Sequence, residues 1–263
     1  MNADRMVVVL TGAGGGIGSA AARVLVGEGA QVLLVGRNQP QLVALAQTLV
    51  RPASARVVAA DVTTPDGRAA IQAAAVAAGA NVLVNNAGVP CFGRFEALVP
   101  EQIERAMQTN LLAPMLLTHL LLPQLRAQPV ARILNVGSAL GSLGLPGFSA
   151  YSAAKFGLRG FSEALRRELA GSGVAVQYLA PRTTRTAFND EAVDAFNRAT
   201  GTQSDSADQV AQALLAMLRS GSAERFLGFP EKLAARLNGF VPRLLDGAFR
   251  RHRTVLHATK QSV

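Results

Sequence analysis

Tyr151 and Lys155 stand four residues apart at the start of an apolar-periodic stretch, Tyr-Ser-Ala-Ala-Lys-Phe-Gly-Leu-Arg-Gly-Phe. Positions i and i+4 share one face of a helix, so this spacing sets a phenol beside an ammonium. A free phenol titrates at about 10, too high for a useful base at neutral pH. A fixed cation nearby favours the phenolate and is expected to lower that value. A tuned phenol gives a proton to an oxygen or takes one from it, as a carbonyl or alcohol reaction requires. Ser138 follows the apolar strand Ile133-Leu134-Asn135-Val136 and offers a hydrogen bond to the same oxygen. Tyr-x-x-x-Lys also arises by chance, so its meaning depends on the elements that place it.

Those elements alternate along the chain. Met6 to Leu10 is a continuous apolar run, as suits a strand buried on both faces. The turn Gly12-Ala13-Gly14-Gly15-Gly16-Ile17-Gly18 follows, and then the helical pattern Ser19 to Leu25. A strand, a glycine turn and a helix in this order form a dinucleotide-binding unit. The glycines let the backbone approach a pyrophosphate, and the helix start supplies amide donors. Gln31 to Val35 is the second strand. NAD-binding units commonly carry an acid just after it. Arg37 stands there instead, and a guanidinium suits a 2′-phosphate, so NADP(H) is preferred over NAD(H).

Strands at 55–60, 81–84, 133–136 and 174–180 alternate with helices at 39–50, 65–79, 100–127 and from 151 onward. A helix from Asp208 to Leu218 and an edge strand at 225–228 follow. The expected fold class is therefore α/β: a single Rossmann-like, doubly wound parallel sheet of about seven strands, helices on both faces, and a C-terminal helical extension. Ligands bind beyond the carboxyl ends of such strands, where Gly12, Arg37, Asp61, Asn86 and Ser138 converge. Asn110, a poor helix former, sits inside the helical stretch 100–127 and needs a reason to be there. The polar segment after Pro181, up to Asp208, is placed to form a mobile substrate lid.

The totals narrow the class. In 263 residues, only 16% are charged and 49% are hydrophobic, which favours a large core over disorder. The single cysteine, Cys91, allows no internal disulfide and reads as a small apolar filler. Leu111 to Leu125 falls short of the roughly 18 apolar residues that span a bilayer. No leader is visible and the three histidines show no metal-ligand spacing, so a cytoplasmic protein without a metal is expected. The 26 Lys and Arg residues exceed the 17 acids, for a formal charge of +9. That favours an acidic partner such as nucleic acid, anionic lipid, a phosphorylated cofactor or an acidic carrier protein, or else serves solubility.

Taken together, Thr11-Gly12-x-x-x-Gly16-x-Gly18, Asp61, Asn85-Asn86-Ala87-Gly88, Asn110, Ser138 and Tyr151-x-x-x-Lys155 resemble the short-chain dehydrogenase/reductase family over residues 6 to 228. The resemblance implies that Tyr151 is the acid/base and that Ser138 orients the substrate oxygen. Lys155 would lower the tyrosine pKa and hold the nicotinamide ribose, and Asn110 would organise a water chain that resupplies protons. The implied cofactor-binding set is Gly12, Gly14, Gly15, Gly16, Ile17, Gly18, Arg37, Asp61, Val62, Asn86, Ala87, Gly88, Tyr151, Lys155, Pro181 and Thr184. It also implies a homodimer or homotetramer packed through the helices of Asn110 and Tyr151.

Two departures stand out. The family has Pro-Gly after the sixth strand, where this chain has Pro181-Arg182. Beyond the domain of residues 1–228 runs a basic extension, 229–263. Its apolar stripes are Leu233, Leu237 and Phe240, then Leu245, Ala248 and Phe249. Such helices either lie on an anionic membrane surface or pack on the domain or a sister subunit.

The expected function is an NADP(H)-dependent oxidoreductase moving hydride between nicotinamide and a carbonyl or alcohol carbon. Pro90, Phe92, Leu140, Leu143, Phe148 and residues near Phe188 suggest an apolar or amphipathic substrate. Reduction of 3-oxoacyl groups on an acyl carrier protein is an alternative, although Gly171-Ser172-Gly173 stands where such reductases tend to carry an Arg. A non-catalytic NADP-binding sensor or scaffold is the third reading. No nucleic-acid partner is expected.

Overall fold

Successive residues of a strand face opposite sides of the sheet, so a sheet covered twice needs strands that are apolar throughout. The strand β1 (Val7–Thr11) is built this way. Val8 and Leu10 enter one core, and Val9 enters the other. The computed structural model describes residues 1–228, 237–241, 243 and 246–258. After β1 come α1 (Gly16–Gly27), β2 (Gln31–Gly36), α2 (Gln39–Thr48), β3 (Ala55–Ala59), α3 (Pro65–Ala77) and β4 (Val82–Asn85). The second half holds α4 (Pro100–Met107), α5 (Ala113–Arg126), β5 (Ala131–Val136), α6 (Ser149–Glu168) and β6 (Val174–Ala180). A two-stranded ribbon of β7 (Thr183–Thr184) and β8 (Ser204–Asp205) brackets α7 (Glu191–Thr200). Then come α8 (Ala207–Ser220), β9 (Glu224–Phe226) and α9 (Arg250–Ala258).

The main sheet has seven strands in the order β3-β2-β1-β4-β5-β6-β9, all parallel. Leu25 of α1, Leu42 of α2 and Leu214 of α8 fill one core. Ile71 of α3, Leu117 of α5 and Leu165 of α6 fill the other. The strand order reverses between β1 and β4, which opens a crevice at their carboxyl ends. The doubly wound α/β sheet expected from the alternation of strands and helices is the fold observed. Among the described residues, no helix is long and apolar enough to cross a membrane.

Two segments differ from the sequence reading. The stretch 100–127 is not one regular α-helix: Gln108–Leu112 forms a π-turn between α4 and α5. The turn holds Asn110, whose side chain bonds the backbone of Val89 in a neighbouring loop, and such turns concentrate at functional sites. The polar segment after Pro181 contains elements that the sequence reading did not name: Asp190 caps α7 through the amide of Val193, and β7 pairs with β8 across that helix.

Candidate active site

The crevice is a cavity of about 850 Å³ at the carboxyl ends of the strands. Gly12 has φ +64°, and a Cβ there would stand 2.8 Å from the Cα of Ala87, so only glycine lets the two loops approach. Thr11 Oγ1 accepts the amides of Asn86 (2.9 Å) and Ala87 (3.0 Å). The Asn86 side-chain amide donates back to the carbonyls of Thr11 (3.0 Å) and Gly12 (3.2 Å). Helix α1 starts at Gly16 with Gly15 at its cap, which gives the cavity wall the amide donors and positive end of a dipole. Gly12, Gly14, Gly15, Gly16, Ile17 and Gly18 all line the cavity, as do Arg37, Asp61 and Val62. So do Asn86, Ala87, Gly88, Pro181 and Thr184.

Burial pushes the Asp61 carboxyl up, but Thr63 outweighs it by donating from Oγ1 (2.7 Å) and N (2.8 Å). The Arg37 guanidinium adds to the lowering, and the net pKa lies below the ordinary carboxylate value. Arg37 is exposed at the rim, where a guanidinium can meet a phosphate without leaving water. Glycine loop, helix start and rim cation together suit a phosphorylated dinucleotide. Gln41 was not singled out from sequence, yet its Nε2 donates to the Gly14 carbonyl (2.9 Å) and clasps the glycine turn to α2.

Tyr151, Lys155 and Ser138 meet at the middle of the cavity. Helix α6 carries the first two and is held to the sheet by a buried polar chain. In it, Asn85 Nδ2 donates to Asn135 Oδ1 (2.8 Å), and Asn135 Nδ2 donates to Ser162 Oγ (2.8 Å). Ser138 Oγ accepts the Leu140 amide (3.1 Å), which leaves its proton free for the Tyr151 phenol.

The expected lowering of the tyrosine pKa does not appear here. Burial pushes Tyr151 up to about 12, and only the Ser138 hydrogen bond opposes it. The Lys155 ammonium lies 5.7 Å from the Tyr151 ring centroid and donates to the Val136 carbonyl (3.0 Å). Burial in turn pulls Lys155 down to about 8. A phenol so placed carries its proton at neutral pH.

Asn110 does not line the cavity. It is fully buried behind it, where Oδ1 accepts the Val89 amide and Nδ2 donates to the Val89 carbonyl, both at 2.9 Å. This pairing accounts for the polar residue in the helix and fixes the loop that follows Gly88.

At the substrate end, Pro90, Leu140, Leu143, Phe148 and Phe188 line the cavity as expected. Phe92 stands one layer back, with its ring 4.8 Å from that of Phe148 and 5.1 Å from that of Phe196. The tail contributes two lining residues that the stripe pattern did not single out as such, Phe249 and His252. Leu256 of α9 is buried with Phe148, Val193 and Phe196, so this part of the extension packs on the domain. Burial and the neighbouring Arg251 lower the His252 pKa. Of the proposed stripes, Leu233 and Leu245 lie outside the described residues, while Phe240 is 86% exposed. Arg182, where the family has Gly, donates through Nε to Asp205 Oδ1 (2.9 Å) and pins the strand end to β8. Its φ is not positive, so the glycine's conformational freedom is not needed here. Cys91 is buried against Ala106, Ala150 and Tyr151.

A family model described as short chain dehydrogenase matches residues 6–196. The ketoacyl reductase HetN of Nostoc sp. is 39% identical over 180 residues, 66% of this chain and 62% of that protein. The chain thus spans less than two thirds of that relative. The 3-oxoacyl-[acyl-carrier-protein] reductase FabG of Vibrio cholerae is 34% identical across 73% of this chain and 80% of its own. A short-chain dehydrogenase from Sphingobium yanoikuyae, solved in complex with NADPH, superposes with a TM-score of 0.76. It is 29% identical, with 98% of each chain covered.

Proposed function

The chain belongs to the short-chain dehydrogenase family and is an NAD(P)-dependent oxidoreductase of carbonyl and alcohol groups; from that premise we propose that it reduces apolar or amphipathic ketones and aldehydes with NADPH. The observation that carries this reading is the half-buried Tyr151 phenol, facing the middle of the cavity together with Ser138 and Lys155. NADP(H), when bound, supplies or accepts the hydride. The glycine turn, Asp61, Val62, the Asn86–Gly88 loop, Pro181 and Thr184 hold it, and Arg37 takes its 2′-phosphate. Ser138 donates a hydrogen bond to the substrate oxygen, and Tyr151 gives that oxygen its proton as charge develops there. Lys155 holds the ribose and, with Asn110, the route by which Tyr151 regains a proton. The apolar wall from Leu140 to Phe148, with Phe249 and His252, excludes water and selects an apolar substrate.

Replacing Tyr151 with Phe tests this directly. Turnover of a carbonyl panel, read from NADPH absorbance, is expected to vanish, while NADPH binding stays within about threefold of the parent. Surviving turnover would overturn the assignment.

Reduction of carrier-linked 3-oxoacyl groups is the second reading, favoured by the similarity to a 3-oxoacyl-[acyl-carrier-protein] reductase and by the +9 charge. Rates on carrier-linked and free ketones separate the two. Leu112 and Phe156, each 41% exposed on the two segments that carry Asn110 and Tyr151, support a homodimer or homotetramer through that face. Exposed Leu237, Phe240 and Val241 beside a basic tail support a peripheral contact with anionic membrane. Failure to co-sediment with anionic liposomes would sink that contact.

A further inference from the structure

Tyr178 is 3% exposed in β6, behind the site, and no step of the proposed reaction uses it. Its ring lies over two glycines of the Ser138 turn: a Cβ at Gly137 or Gly141 would overlap the ring or its hydroxyl. The same Cβ at Gly141 would stand 2.8 Å from the Lys155 carbonyl oxygen, so the turn is pressed between Tyr178 and the helix of Tyr151. Among the described residues, the phenol oxygen bonds the Ser138 backbone alone, accepting from its amide and donating to its carbonyl, each at 3.3 Å.

The flanking residues show why that contact matters. The amides of Gly137 and Ala139 bond the carbonyls of Leu179 (2.7 Å) and Pro181 (2.8 Å), continuing the ladder toward β6. The intervening Ser138 amide points the other way, and among the described residues the Tyr178 hydroxyl is its partner. A buried amide without a partner is costly, so removal of this hydroxyl favours a different orientation of the Ser138 peptide. Ser138 Oγ is already fixed by the Leu140 amide, so any rotation of the peptide re-aims the one proton it presents to Tyr151.

We propose that Tyr178 is a positioning residue, whose hydroxyl sets the Ser138 backbone and through it the direction of the Ser138 hydroxyl. This rests on the proposed reduction and adds a residue that acts without touching substrate. Filling space does not need the oxygen, because Phe would occupy the same volume between the glycines.

The test is Tyr178→Phe, which keeps the ring, alone and combined with Ser138→Ala. In the parent background kcat is expected to fall about tenfold, with KM and the NADPH Kd within about threefold, since misaim acts on the chemical step. In the Ser138→Ala background the same change is expected to alter the residual kcat less than about twofold, because no hydroxyl is left to aim. A purely structural role would lower kcat equally in both backgrounds. Either that result or a Tyr178→Phe kcat within twofold of the parent overturns the proposal. Tyr151→Phe in the same assay separates the failures. Turnover surviving there sinks the reading of the site, whereas an inactive Tyr151→Phe beside a silent Tyr178→Phe sinks only the role of Tyr178.

Discussion

Replacing Lys155 with Met should make the protein inactive and more stable. The ammonium is 5% exposed, and burial draws its pKa from 10.5 down to about 8. That gap corresponds to about 3 kcal/mol spent holding the charge in the folded chain at neutral pH. Met fills a similar volume with no charge to desolvate. It forfeits the bond to the Val136 carbonyl, about 1 kcal/mol, for a net gain of about 2 kcal/mol at pH 7. For a domain of this size the gain raises Tm by about 4–8 °C.

The sign changes with pH in a way that identifies the cause. Below about pH 8 the lysine is charged in both states, and the whole penalty is present. Between about 8 and 10.5 the folded chain releases its proton first, so the unfolded state binds more protons and parent stability rises with pH. Met has nothing to titrate, and the other groups are common to both proteins. The gap between them should therefore narrow by about 2 kcal/mol from pH 7 to pH 10. The chain has no Trp, so urea denaturation followed by far-UV circular dichroism is the suitable assay. A variant less stable than the parent at pH 7, or a gap independent of pH, refutes the argument.

Two further substitutions probe the ends of the site. Arg37→Ala should weaken NADPH binding by about 10- to 100-fold, the loss of a charge-assisted contact, and leave NADH within about threefold. Calorimetry with both cofactors decides, and equal weakening of both would remove Arg37 from 2′-phosphate recognition. Asn110→Ala leaves the Val89 amide and carbonyl unpaired in the interior, and should cost about 2–4 kcal/mol in urea denaturation at pH 7. A loss under about 1 kcal/mol would show that the π-turn does not depend on that pairing.

Much of the scaffold is written in local pattern. Unbroken apolar runs such as Val7 to Leu10 require cover on both faces, and a glycine turn between strand and helix requires close backbone approach. The i, i+4 spacing places Tyr151 and Lys155 on one helix face whatever surrounds them. These properties depend on neighbours in the chain, so period and residue type determine them.

Other features depend on groups far apart in sequence. The stripe of the tail marks Phe249 as apolar, but only the packing of α9 on α7 brings it and His252 to the cavity wall. Phe92 looks like a lining residue until Phe148 and Phe196 are seen to stack on it and set it one layer back. Arg182 departs from the family pattern without visible reason until Asp205, 23 residues on, is found as its partner. The direction of the Tyr151 shift cannot be read from spacing because burial sets it. Desolvation sums over every atom that displaces water, and a cation four residues away is only one of them. Sequence thus determined which groups the site contains, and only the tertiary packing decided where their protons and open faces lie.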